Sequence, residues 1–163
     1  MDESSVYDMK SREDWLELLD EMGSLLDLPT ALLDRKNFIV QSSGERNGLC
    51  REIRKLKEAK MAICGQSQQF MAKMARDRKS PVVEICEAGM GKLVVPLFHN
   101  QNYLGCITAC GCRLPKTEIE THIIERTIGM GGLAINEIAE KVPVVQKERL
   151  ERLAESFSFC VEA

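Results

Sequence analysis

No stretch of this 163-residue chain is apolar over the roughly 18 residues needed to span a bilayer. Nor does it open on a basic segment followed by an apolar one; residues 1–14 are acidic and polar, unlike a secretory signal. A basic excess is missing as well. Lys and Arg number 22 against 25 Asp and Glu, and a net charge of -3 provides no basic stripe for neutralising phosphates. These absences predict a cytoplasmic protein with no membrane anchor and no direct nucleic-acid partner. Histidine is scarce: His99 and His122 are the only two, and neither has a cysteine or carboxylate spaced to join it in a metal or catalytic pair. Both read as solvent-facing. No Ser/His/Asp order, H-E-x-x-H or glycine-rich phosphate loop occurs. Gly129-Met130-Gly131-Gly132 lacks the preceding strand and the Lys-Ser or Lys-Thr end of such a loop, and reads as a helix break.

Cysteine, by contrast, is plentiful: Cys50, Cys64, Cys86, Cys106, Cys110, Cys112 and Cys160. In a reducing compartment structural disulfides are rare, and an odd number would leave one thiol over. The thiols are then small buried apolar groups, metal ligands or redox-active groups. There is no C-x-x-C pair to favour a metal.

Hydrophobic residues make up 44% and charged residues 29%, which places the chain among globular proteins. Its length fits one domain, with a core over 11–142 and a closing helix over 146–162. Ser11 followed by Asp14 resembles a capping box, and Trp15, Leu18, Leu19, Met22 and Leu26 share one helical face. Two short apolar runs, Thr30 to Leu33 and Phe38 to Val40, predict a hairpin, with residues 41–44 as a loop. Leu49, Ile53 and Leu56 mark a second helix. A third over Gln66 to Arg78 should pack through Phe70, Met71 and Met74, with Cys64 in line with Met71 if the helix starts early. The runs Pro81 to Cys86, Lys92 to Phe98 and Tyr103 to Cys112 read as strands, and Asn100-Gln101-Asn102 as the hairpin turn between the last two. Pro96 points to an edge or a bulge. Thr117 and Glu120 suggest a cap for a helix carrying Ile123, Ile124 and Ile128. The final helix should bury Leu150, Leu153, Phe157 and Val161, with Cys160 on that face. No internal repeat is present. The expected fold is α+β: an antiparallel sheet of the PAS or GAF kind, helices packed on one side and at both ends, and amphipathic terminal helices.

Leu49-Cys50, Cys64, the segment Pro81-Val82-Val83-Glu84-Ile85-Cys86-Glu87-Ala88-Gly89, then Val95-Pro96-Leu97 and Tyr103-Leu104-Gly105-Cys106-Ile107 together resemble the PocR sensory-domain family. This is a PAS-like module attached to transcription factors, kinases and chemoreceptors. The spacing of Cys50, Cys64 and Cys86 is the most specific part of the likeness, which covers most of the chain. It implies the sensing of small organic compounds such as diols. The run Cys106-Ile107-Thr108-Ala109-Cys110-Gly111-Cys112 carries more thiols than the family's plain glycine ending. No helix-turn-helix, kinase or methyl-accepting segment is apparent. The signal is therefore expected to leave through a separate output protein or a homodimer joined by the terminal helices.

Strand alternation places Cys106, Thr108, Cys110 and Cys112 on one face. The first hypothesis is a ligand pocket using Cys86, Glu87, Thr108 and Cys110, with Glu87 and Thr108 supplying the orienting hydrogen bonds. The second is a redox or metal sensor in which Cys50, Cys64, Cys86, Cys110 and Cys112 converge on zinc or an iron–sulfur cluster. A cysteine-dependent enzyme ranks last, because neither histidine is placed to activate a thiol.

Overall fold

The computed structural model describes residues 4–162, with side chains as far as residue 158. Cys160 and Val161 therefore lie outside the described side chains. Helix α1 spans Arg12–Leu26. Its Ser11 N-cap accepts a hydrogen bond from the Asp14 N–H at 3.1 Å, and all five expected face residues are buried. Trp15 is fully enclosed, and its indole N–H donates to the Val6 carbonyl at 2.9 Å.

Strands β1 (Thr30–Asp34), β2 (Ile39–Ser43), β3 (Val82–Ile85), β4 (Gly91–His99) and β5 (Asn102–Cys112) form one sheet in the order β2-β1-β5-β4-β3. Every neighbouring pair is antiparallel. The β1–β2 turn contains no glycine. Asn37 takes the left-handed conformation instead (φ 67°), while the Asp34 carboxylate accepts from the Lys36 and Phe38 N–H groups. Ser42 and Ser43, expected in a loop, continue β2 because they pair with Ala31 and Thr30. Asn100 and Gln101 both have positive φ, the geometry of a tight two-residue hairpin between β4 and β5. Pro96 is explained by strand length. β3 covers β4 only from Gly91 to Val94, so at Pro96 one side of β4 needs no donor.

The remaining helices are α2 (Gly48–Lys55), the single turn α3 (Lys57–Ala59), a π-helix (Lys60–Gly65), α4 (Gln66–Arg78), α5 (Thr121–Ile128), α6 (Gly132–Ala139) and α7 (Lys147–Glu162). They cover both faces of the sheet, not one. On the first face, α1 and α7 bury Trp15, Leu19, Leu150 and Phe157 against Leu93, Val95 and Ile107. On the second, Met71, Ala72 and Ala75 of α4 pack on Ala31, Val94 and Cys106. The central strands are apolar on both sides, as a sheet covered twice requires.

The described apolar faces of the terminal helices are buried on the chain's own sheet, while Leu16 and Leu25 of α1 stay exposed. Two further expectations are corrected. Phe70 is exposed, since the buried face of α4 runs through Ser67, Gln68, Met71, Ala72 and Ala75. Thr117 does not cap α5: its hydroxyl donates to the Leu114 carbonyl, and the helix begins only at Thr121. The intervening chain is held against the β3–β4 turn by the Glu120 N–H on the Ala88 carbonyl.

Candidate functional site

Between the second face of the sheet and the layer formed by α2, the π-helix and the start of α4 lies a cavity of about 620 Å³. That volume falls within the roughly 300–1,000 Å³ typical of small-molecule sites. Its apolar wall includes Leu33, Ile39, Ile53, Met61, Ile63 and Met90. Cys50, Cys64, Cys86 and Cys110 line it from α2, the π-helix, the end of β3 and β5. These thiols are thus brought together from four separate elements, as are Cys86, Thr108 and Cys110 of the expected ligand set.

Two of the expected residues stand elsewhere. The Glu87 side chain is exposed and does not line the cavity; only its backbone N–H is engaged, donating to the Ser67 hydroxyl at 3.0 Å. Cys112 lies on the opposite face of the sheet, in the core beneath α1 and α7. The reason is a β-bulge. Lys92 pairs with Cys110 and Gly91 with Cys112, so Gly111 is an extra residue on β5. With φ at 104° it breaks the alternation, and the residues after it change sides. Among the described residues, no three His, Cys, Asp or Glu side chains are grouped closely enough to hold one metal ion. The four cavity thiols therefore form a wall and not a ready ligand set for zinc or a cluster.

The bulge is locked by a residue the sequence reading passed over. Asn47 caps α2 by accepting from the Cys50 N–H at 2.8 Å, and its amide donates to the Gly111 carbonyl at 2.9 Å. One side chain thus ties the start of α2 to the end of β5. A Cβ on Gly111 would stand 2.9 Å from the Asn47 amide nitrogen. Gly111→Ala should therefore cost about 1–3 kcal/mol and loosen α2 over the cavity. Hydrogen exchange of α2 amides measures the loosening. Unchanged protection and stability would separate the bulge from the site.

The π-helix forms the opposite rim. Such wide turns are uncommon and concentrate at functional sites. Here Lys60–Gly65 runs directly into α4, which spans the expected Gln66–Arg78, and its wider winding turns Cys64 to the cavity while Met71 packs on the sheet. Ser67 fastens this rim to the strands: its hydroxyl donates to the Ile63 carbonyl at 2.7 Å and accepts from Glu87.

Besides Ser67, three polar side chains reach the cavity although each is more than nine-tenths buried: Thr108, Gln68 and Lys92, at 5%, 6% and 7% exposure. Lys92 and Gln68 were not singled out from the sequence. A lysine opening the otherwise apolar run Leu93-Val94-Val95 was the available signal, since alternation sets it on the same face as Val94. Burial raises the Cys50 and Cys86 thiols above their ordinary value, with repulsion from neighbouring thiols adding to it. They stand as neutral thiols near pH 7. Among the described residues, no histidine or carboxylate lines the cavity to take a proton from them. A smaller recess of about 220 Å³, beside Arg76 and Tyr103, holds none of the expected residues.

A doubly covered antiparallel sheet with an apolar cavity on one face defines an α+β domain of the PAS- or GAF-like sensory class. The family described as the sensory domain found in PocR matches residues 8–162, nearly the whole chain, and the chain belongs to that family. No curated protein matches it. Among the described residues, no helix is long and apolar enough to cross a membrane.

Proposed function

We propose that this chain senses a small organic molecule held in the 620 Å³ cavity, and that it acts by binding and not by catalysis. The observation carrying this reading is an apolar chamber into which a few deeply buried polar groups, Thr108, Gln68 and Lys92, project. Burying polar groups costs stability unless they find partners, and a bound molecule is the partner such an arrangement suits. Cys86 and Cys110 supply further wall at the strand ends. Occupancy would be passed on through α2, whose Leu49 and Ile53 pack with Ile124 of α5 and Ile135 of α6. From there the signal goes to a separate output protein or a second copy of the chain.

The test is a thermal-shift panel of propylene glycol, butanol, benzyl alcohol, butyrate and benzoate, run on the wild type and on Cys110→Phe. That substitution places a ring in the cavity from a half-buried wall position. Compounds that stabilise the wild type should lose their effect on the variant. Equal stabilisation of both proteins would place binding elsewhere and end this reading.

A further inference from the structure

Among the described residues, the charged ones lining the cavity are Lys36, Arg46, Arg54, Lys60 and Lys92, and no aspartate or glutamate accompanies them. This is unexpected in a chain whose acidic residues outnumber its basic ones. The five are also graded in depth. Lys36 and Lys60 are exposed at the mouth, Arg46 and Arg54 are half-buried, and Lys92 is almost wholly enclosed. We infer that the cavity takes an organic anion, a carboxylate with an apolar body, whose charge is met by Lys92. The inference rests on the ligand-sensing reading above and names the class of molecule sensed.

The case turns on Lys92. A buried charge is kept where it is paired or where a ligand pairs it, because an unpaired one costs stability. Lys92 takes no part in the ion pairs Lys55–Glu52, Lys73–Asp77 and His122–Glu125 found among the described residues. Its nearest candidate in the sheet is Glu84, opposite it in register on β3, but that carboxylate forms no ion pair with it and does not line the cavity. Asp34 is occupied by the β1–β2 turn. The thiol of Cys110, the register partner on β5, shares the cavity wall with Lys92.

A second buried group also lacks a partner. The Gln68 amide nitrogen donates to Asn37 and to the Cys106 sulfur, while its carbonyl oxygen, enclosed at the cavity, accepts nothing within the protein. Gln68 and Lys92 line the same cavity, and a ligand bearing both a carboxylate and a hydrogen-bond donor, as a hydroxy acid does, suits the pair. Thr108 adds a hydroxyl that can donate to the carboxylate. Neutral thiols at Cys50 and Cys86 leave the cationic excess uncancelled. The exposed lysines at the mouth would draw anions inward, and the effect of such steering falls with salt.

Calorimetric titration with matched pairs tests this: butyrate against butanol, and benzoate against benzyl alcohol, at one fixed ionic strength. Each acid should bind the wild type about tenfold or more tightly than its alcohol, because a charge-assisted hydrogen bond is gained. Lys92→Met keeps the length of the side chain and removes its charge. It should erase the preference while melting at or above the wild-type temperature, which excludes misfolding as the cause. Arg54→Met, nearer the mouth, should weaken acid binding by only about threefold. If alcohols bind as tightly as acids, and binding is blocked by Cys110→Phe, ligand sensing stands and the anion proposal falls. Acids that keep their preference in Lys92→Met also overturn it. Should no probe of either kind bind, both readings fall together.

Discussion

Gly105→Ala should remove about 4 kcal/mol or more of folding stability, a large fraction of the whole for a typical domain. Gly105 sits in β5, the central strand, paired with Asp34 on one side and Leu97 on the other. Its φ of 152° brings the backbone against β1, and a Cβ there would lie 2.0 Å from the Leu33 carbonyl oxygen. The obstacle is backbone, not the end of a flexible side chain, so relief requires β1 and β5 to part. Gly129→Ala provides the contrast. Gly129 also has positive φ, at 73°, but nothing lies within 4 Å of the added carbon. That substitution should cost only the left-handed backbone penalty, about 1–2 kcal/mol. Urea unfolding of the two variants decides the matter. Equal losses would mean that Gly105 serves backbone conformation alone and not the close approach of β1.

The comparison of these glycines shows where sequence reasoning reaches. Positive φ at a turn can be guessed from residue type, but the distance from Gly105 to a strand some seventy residues earlier cannot. The same division runs through the fold. The periodicity of Trp15, Leu18, Leu19, Met22 and Leu26 marks α1, whose residues pack as the pattern predicts. The strands Val82–Ile85, Gly91–His99 and Asn102–Cys112 fall within a residue or two of the apolar runs that announced them. Local pattern carries that much. It does not carry how many faces of a sheet are covered, and the second layer over the sheet was missed for that reason. The site divides likewise. The gathering of Cys50, Cys64, Cys86 and Cys110 around one space follows from elements each visible in the sequence. Cys112 was misplaced because a single bulged glycine reverses every later side chain, and strand alternation has no means of announcing it. Lys92 was overlooked because charged residues are ordinarily surface residues. Its burial is visible only once β4 is seen to be covered on both sides.

Stability should fall steeply as the pH rises above about 9, to the point of unfolding near pH 10 or a little beyond. Burial is the largest influence on four thiols and raises all of them: Cys106 and Cys112 to about 11, and Cys50 and Cys86 above the same ordinary value of 9.0. The sign follows from proton counting. Below the unfolded value both states are protonated and the thiols add no slope. Between 9 and 11 the unfolded chain has released protons that the folded chain still holds, so added base favours unfolding. The stabilisation is complete below the unfolded value and lost as the pH climbs through the folded one. Cys50, Cys106 and Cys112 each contribute about 1.4 kcal/mol per pH unit across that window, about 4 kcal/mol per unit together, and Cys86 adds in the same direction. That is comparable with the whole stability of a typical domain. Urea midpoints should stay level from about pH 7 to 8.5 and then drop, with the slope reduced by one thiol's share in Cys106→Ala. Cys106 is suited to this test because it is fully buried under α4, away from the cavity lining. A native protein whose thiols all ionise near 9 in ultraviolet absorbance, with midpoints unchanged to pH 10.5, would show instead that solvent reaches these sulfurs.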